Sequence, residues 1–418
     1  MPTEGTMKTL IFGDLSHVRS FGANLTSFCL LDDFLKTLGT DEIISVYSMP
    51  HIGGRYSPLW RVSKQFPPRF SRYLRDIRLS IKKVSPSSIE YKNVHYNNSF
   101  NDLLPNTLAS FLDLDNFLSR SDLLRHIERS IRGADRVIIN GEGNIVNHIG
   151  GTDIGYRVGA RFLFVAIFIC IRHEIPFSLV NCTIDPKNTI VDEVLAHCLP
   201  YASHVSVREP ISLKYAKDRL SLSNVVEGAD ASVGYDFGAS LNKKRLNSSV
   251  PWVVLGDSSG LRGNGSVVAD DIERLIVKFH SIGFRIKLLD CSTPYSNVIG
   301  KLARKYGCDW LSDHWLDFKS LQQELRNASL MVSGRWHPSI LAASVGVPTV
   351  MYGSDSCKSR GFSLRMNSPF IEGGLSGVYE QFSIIEDELS NKRKTEVLRA
   401  SLEWSEKREA NLIRPEHD

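Results

Sequence analysis

The sequence is short of several features that would have assigned it quickly. Its longest apolar run, Phe162 to Ile171, is about half of what a helical bilayer span requires. The N-terminus lacks the apolar core of a secretory leader, so a soluble, cytoplasmic protein is expected. Cysteine is scarce, 7 in 418 residues with no Cys-x-x-Cys pair, which excludes a disulfide scaffold and a zinc ribbon and suggests buried free thiols. The 12 histidines include no His-Glu-x-x-His or similar spacing, so no metal is expected. Neither sign of charge dominates: 50 Lys and Arg face 46 Asp and Glu, a net +4. With 42% hydrophobic and 23% charged residues, wholesale disorder is excluded, and the length suits two domains.

What charge there is lies unevenly. Between Arg55 and Lys92 stand ten basic residues and two acids, a local +8 that leaves −4 for the rest. Arg72, Arg75, Arg78 and Lys82 recur at three- and four-residue steps, with Phe70, Leu74, Ile77 and Ile81 on another face. That spacing predicts a basic amphipathic helix. Such a helix packs on a core with a solvated basic face, or lies on an anionic membrane or a lipid diphosphate. No nucleic-acid reader motif accompanies it, and no nucleic-acid partner is expected.

Elsewhere strands and helices alternate. Strands are expected at Lys8–Gly13, Ile43–Tyr47, Val137–Asn140, Phe177–Asn181 and His204–Val207, with helices at Leu25–Leu38, Asp122–Ile131, Ala160–Ile171, Asn188–Leu199 and Pro210–Leu220. After a polar stretch at Asn242–Ser249, read as a linker, strands at Trp252–Leu255, Arg285–Leu289, near Trp310, Leu330–Ser333 and Thr349–Tyr352 are separated by four further helices. A long charged helix is expected over Ser383–Glu409. This order predicts an α/β protein of two Rossmann-like domains, 1–241 and 250–382, with parallel sheets facing across a cleft and segment 383–418 attached. The site is expected where the strands' carboxyl ends meet that cleft.

Four segments at such ends carry chemistry. In Ser333-Gly-Arg335-Trp-His337-Pro338 a strand meets a helix, with His337 expected at the N-cap and Pro338 at the first helical position. Arg335 and His337 beside the orphan N–H groups suit a phosphate or carboxylate. The same residues also fit a plain cap and an ion pair. Arg208 follows the strand His204–Val207 and either reaches a ligand or pairs with Glu209. The segment Gly353–Gly361 is expected as a loop whose Lys358 and Arg360 close over a phosphate or stay in solvent. Ser258, in Gly256-Asp-Ser-Ser-Gly260, offers a backbone cradle without the Lys-Ser/Thr ending of a P-loop.

In the first half, Gly141-Glu142-Gly143-Asn144 begins like a dinucleotide fingerprint, but Val146 stands at its third glycine and Arg161 where an acid belongs, so no nicotinamide cofactor is expected. Glu142 remains a candidate base or holder of sugar hydroxyls, with Asn144 beside it, and Asp14 after the first strand is a second candidate. A structural turn is the alternative for each.

At these residues the chain resembles the polysaccharide pyruvyl transferase family. The likeness rests on SVREPISLKYAK (Ser206–Lys217), GADASVGYDF (Gly228–Phe237), VSGRWHPSILAASVGVPTVMYGSDSCKSRGF (Val332–Phe362) and the turn INGEGN (Ile139–Asn144). Two features depart from the family. Ser20-Phe-Gly22-Ala-Asn24 stands where it usually reads Gly-Asn-x-Gly-Asp, and Trp336 is bulkier than the usual residue. The resemblance implies a GT-B-like fold whose last helix returns to the first domain. It also implies phosphoenolpyruvate as donor, no cofactor, and a cell-surface glycan or its lipid-linked precursor as acceptor. By position it assigns Arg208, Arg335, His337 and Lys358 to the donor site.

On that reading Arg335, Lys358 and Arg208 neutralise the donor, His337 supplies a proton, and Glu142 or Asp14 handles the acceptor. A GT-B glycosyltransferase using a nucleotide sugar has the same local requirements. So, with the chemistry removed, does a binding subunit of a glycan-assembly complex, peripheral on the inner face of a membrane.

Overall fold

The computed structural model describes residues 8–13, 21–37, 42–46, 76–85, 88–97, 104–143, 145, 158–184, 189–235, 237, 251–258, 265–291, 296–312, 318–353, 356–391 and 393–412. Asp14, Arg72, Arg75, Asn144 and the expected linker 242–249 lie outside them.

Two sheets carry the fold. The first has β1 (Lys8–Phe12), β2 (Glu42–Val46), β3 (Asp76–Ser85), β4 (Ser88–Asn97), β5 (Arg136–Glu142), β6 (Phe177–Cys182), β7 (His204–Val207) and β8 (Val225–Glu227), in the order β4-β3-β2-β1-β5-β6-β7-β8. The second has β9 (Trp252–Ser258), β10 (Arg285–Asp290), β11 (Asp309–Ser312), β12 (Leu330–Gly334), β13 (Thr349–Tyr352) and β14 (Phe370–Ile371), in the order β11-β10-β9-β12-β13-β14. All pairs are parallel except β2–β3 and β3–β4. Each sheet reverses its winding beside its first strand, between β1 and β5 and between β9 and β12. Crevices form at such switch points.

The strands read as apolar runs because both faces are covered. Leu10 and Phe12 join the core under the helix Val158–Arg172, whose residues Phe162 to Cys170 are all buried. Protein, not lipid, covers the longest apolar run; no helix among the described residues is long and apolar enough to cross a membrane. Ile11, Ile138 and Val180 face the other way. They share one cluster with Leu25, Leu30 and Phe34 of the helix Phe21–Thr37 and with Val254, Met331 and Leu341 of the second half. One apolar layer thus joins both sheets.

Three expectations are corrected. The basic amphipathic helix through Arg78 and Lys82 is a strand, β3, paired antiparallel with β2 and β4. Ile77 and Ile81 are four apart, which suits a helix, but Leu79 between them completes a two-residue alternation with Arg78, Ser80 and Lys82. That is the strand period. The expected loop from Lys358 is a helix, Lys358–Met366. Its interior Gly361 signals close approach: a Cβ there would come within 2.9 Å of Glu209 Oε2. The single C-terminal helix is two, Phe382–Asn391 and Lys394–Glu406, followed by a 3₁₀ turn, Lys407–Asn411. Arg393 at the junction bonds Glu388 behind it and Glu396 ahead. The final turn meets the first half: Lys407 pairs with Glu227, Arg408 with Asp33, and Asn411 Nδ2 donates to the Ala229 carbonyl at 2.7 Å.

Candidate active site

Arg208 anchors the site. It follows β7, has no exposed surface, and is fixed on two sides: Nε donates to Thr183 Oγ1 at 2.9 Å and Nη1 to Asp230 Oδ2 at 2.7 Å. The Trp336 ring lies beneath it, 5.4 Å from guanidinium carbon to centroid. Its remaining nitrogen, Nη2, is buried with no hydrogen-bond partner among the described residues, 3.5 Å from Glu142 Oε1. A donor held this way and left unsatisfied is costly unless a ligand meets it.

Asp230 gathers both halves of the chain. Besides Arg208 it accepts from Trp336 Nε1 at 2.9 Å and from the Ser232 N–H at 3.0 Å, and its Oδ2 lies 3.5 Å from His337 Nε2. Burial alone would raise its carboxyl, but His337 and Arg208 outweigh that and hold it well below the usual range.

His337 sits in the first turn of the helix Trp336–Ser344, whose N-cap is Arg335 and not His337. Pro338 is therefore the third helical residue, where its missing N–H still costs no bond. The imidazole is buried, with Nε2 2.7 Å from Thr26 Oγ1 and 3.8 Å from Glu142 Oε1. Its other edge abuts Gly22, where a Cβ would stand 2.0 Å from Nδ1. The missing side chain at Gly22 makes room for the ring.

Glu142 ends β5 with φ of +37°, a left-handed conformation that costs energy for a non-glycine residue and marks functional turns. Burial would raise its carboxyl, yet Arg208, Lys358, His337 and the Gly143 N–H pull it down to about 2. Lys358 opens its helix facing this turn, its Nζ 2.7 Å from where a Cβ of Gly143 would be. Arg208, His337, Lys358 and Glu142, far apart in sequence, meet at one place.

The other candidates among the described residues do not join them. Arg335, in extended N-cap geometry, turns toward the second sheet. Its Nε and Nη2 bond both carboxylate oxygens of buried Asp257, at 3.0 and 3.1 Å. Residues two apart at this strand-to-helix turn point in different directions: Arg335 bonds the second half and His337 the first. Arg360 is exposed and pairs with Glu372 over the Phe370 ring. Ser258 is buried and donates to the Gly353 carbonyl at 3.0 Å, tying β9 to the turn after β13.

Sequence reasoning missed Asp230, Thr26 and Asn411. Asp230 lies inside the GADASVGYDF block but is not distinguished there from its neighbours. Asn411 belongs to a buried chain beneath the site: Asn181 Nδ2 donates to Asn140 Oδ1 at 3.1 Å, and Asn411 Oδ1 accepts from the Asn181 N–H at 3.2 Å and from Ser206 Oγ at 2.6 Å. Nothing local in the sequence marks it. Among the described residues no cluster of three or more His, Cys, Asp or Glu is arranged to hold a metal ion.

The sequence pattern of the family described as polysaccharide pyruvyl transferase matches residues 21–356. The chain belongs to the polysaccharide pyruvyl transferase family. The matched span includes Gly22, Thr26, Glu142, Arg208, Asp230 and His337, and ends two residues before Lys358. No curated protein matches at the sequence level.

Among solved structures, the fold of this pyruvyl transferase family member is similar to the S. aureus MnaA–UDP complex, with a TM-score of 0.55 at 10% identity, covering 94% of this chain and 91% of that one. It is also similar to a putative UDP-N-acetylglucosamine 2-epimerase from Listeria monocytogenes, with a TM-score of 0.55 at 12% identity and coverage of 94% and 90%. A glycosyltransferase from Rickettsia africae gives a TM-score of 0.54 at 10% identity and coverage of 98% and 97%. At these identities the likeness is one of fold, the GT-B-like pair of sheets.

Proposed function

We propose that this protein transfers the pyruvyl group of phosphoenolpyruvate onto two hydroxyls of a sugar in a cell-surface polysaccharide or its lipid-linked precursor, closing a ketal. The observation that carries the proposal is the buried Nη2 of Arg208, ion-paired with Glu142 at 3.5 Å but without a hydrogen bond among the described residues, with Lys358 and His337 beside it. Together they suit a small compound bearing both a carboxylate and a phosphate.

The chemistry divides among these groups. His337 delivers a proton to the methylene carbon of the donor, leaving the adjacent carbon electron-poor. One sugar hydroxyl adds there and gives up its proton, phosphate departs with the electrons of its C–O bond, and the second hydroxyl closes the ring and releases another proton. Arg208 and Lys358 stabilise charge on the leaving phosphate. Glu142, held at about 2 by those same cations, is a poor base before the donor arrives. A bound dianion offsets their field and raises its carboxyl, so Glu142 gains basicity once the donor is in place. A cytoplasmic location follows from a cytoplasmic donor.

A nucleotide-sugar glycosyltransferase is the second reading, supported by the likeness in fold. Purified protein given phosphoenolpyruvate and a diol-bearing sugar should release phosphate, and His337→Ala should lose most of that rate. Stabilisation by nucleotide sugars alone speaks against pyruvyl transfer, and an undiminished His337→Ala rate speaks against His337 as the proton donor.

A further inference from the structure

His337 comes from the second half of the chain, but the hydroxyl at its Nε2 comes from the first. Thr26 Oγ1 is 2.7 Å away on the helix Phe21–Thr37, fully buried, and His337 is the hydrogen-bond partner the structure gives it. In a helix a threonine has two favoured rotamers, and the 2.7 Å contact with Nε2 belongs to the one taken here, so the hydroxyl has few other positions open to it. Gly22, one turn earlier, bounds the opposite edge of the ring. The two residues grip the imidazole from either side, with Asp230 and Glu142 3.5 and 3.8 Å from the same Nε2.

We propose that Thr26 is a positioning residue for His337, fixing the orientation of its ring across the contact between the two halves of the chain. The physical reason is competition at one nitrogen. Without the hydroxyl, Nε2 is free to swing toward either carboxylate, and each alternative points the ring elsewhere. A hydroxyl both donates and accepts, so it serves the ring before and after proton delivery. Its contribution to rate rests on the pyruvyl-transfer reading; its effect on the ring does not.

The test uses the full-length protein labelled with ¹⁵N-histidine, with the His337 signals identified by their loss in His337→Gln. Thr26→Val keeps the shape and removes the hydroxyl; Thr26→Ser keeps the hydroxyl. In Thr26→Val the His337 ring ¹⁵N shifts should move. The kcat for phosphate release should fall about tenfold, the worth of one buried hydrogen bond, with KM for phosphoenolpyruvate little changed. Thr26→Ser should return both toward wild type. Unaltered His337 signals in Thr26→Val, or a Thr26→Ser protein that behaves like Thr26→Val, overturn the proposal. If the wild-type protein turns over no phosphoenolpyruvate while the signals move as stated, the donor assignment fails and the Thr26–His337 coupling stands.

Discussion

Arg208 and Asp230 form an ion pair, 2.7 Å from Nη1 to Oδ2, in which neither side chain has any exposed surface. Burying two charges is expensive, and their attraction offsets the cost only while both partners are present. Asp230→Ala removes the acceptor shared by Arg208, Trp336 and Ser232 and strands a cation in the core. The expected loss is about 3–5 kcal/mol of folding stability, read from urea unfolding followed by tryptophan fluorescence. A loss under about 1 kcal/mol, the scale of a surface pair, contradicts this account of the pair.

Gly22 tests the packing of the His337 ring apart from its chemistry. Alanine is the better helix former by about 1 kcal/mol, so backbone propensity favours Gly22→Ala. The added methyl, however, would fall 2.0 Å from Nδ1 and 2.5 Å from Cε1 of His337. The ring must move, and phosphate release should drop by about tenfold or more while the melting temperature changes little. Full activity in Gly22→Ala would falsify the placement of His337 against this helix.

Glu209 governs a pH dependence away from the reaction. It caps the helix Pro210–Asp218, accepts from the Ser212 N–H at 3.1 and 3.0 Å, and packs against Gly361 and Cys357 of the second half. Burial raises its carboxyl to about 7, against an ordinary value of 4.5. The folded state therefore holds this proton more tightly than the unfolded chain. Its stabilising effect is complete below about 4.5 and is lost as pH rises to about 7, a change of about 3 kcal/mol. Glu142 has the opposite sign: its stability is present above 4.5 and disappears as pH falls toward about 2. Unfolding free energies at pH 5 and pH 8 should differ less in Glu209→Gln than in wild type, with the variant gaining at pH 8. Identical slopes would contradict a buried, readily protonated Glu209.

Much of this was legible beforehand, and the failures have causes. The strands at Phe177, His204, Trp252 and Leu330 announce themselves because continuous apolar runs between polar turns leave little choice in a sheet covered on both faces. His337 and Arg208 are readable as residues at strand-to-helix turns, and Lys358 as part of a segment that follows a strand. Arg335 stands at the same turn as His337, yet its direction depends on Asp257, 78 residues away, which no local pattern reveals. The residues of β3 read as a helix because Ile77 and Ile81 satisfy two periods at once, and β4 carries no such pattern to correct that reading. Thr26 and Asn411 are ordinary in sequence and acquire their roles only when distant segments close on them.

The most direct test of the site is donor binding followed by thermal unfolding. A ligand that binds only the folded protein raises its melting temperature with concentration. Lys358→Ala removes a cation at the start of a helix and spares the Arg208–Asp230 pair, so it should fold normally. Phosphoenolpyruvate should raise the melting temperature of the wild-type protein and leave that of Lys358→Ala nearly unmoved. No shift in wild type, or an equal shift in both, would contradict a donor held between Arg208 and Lys358.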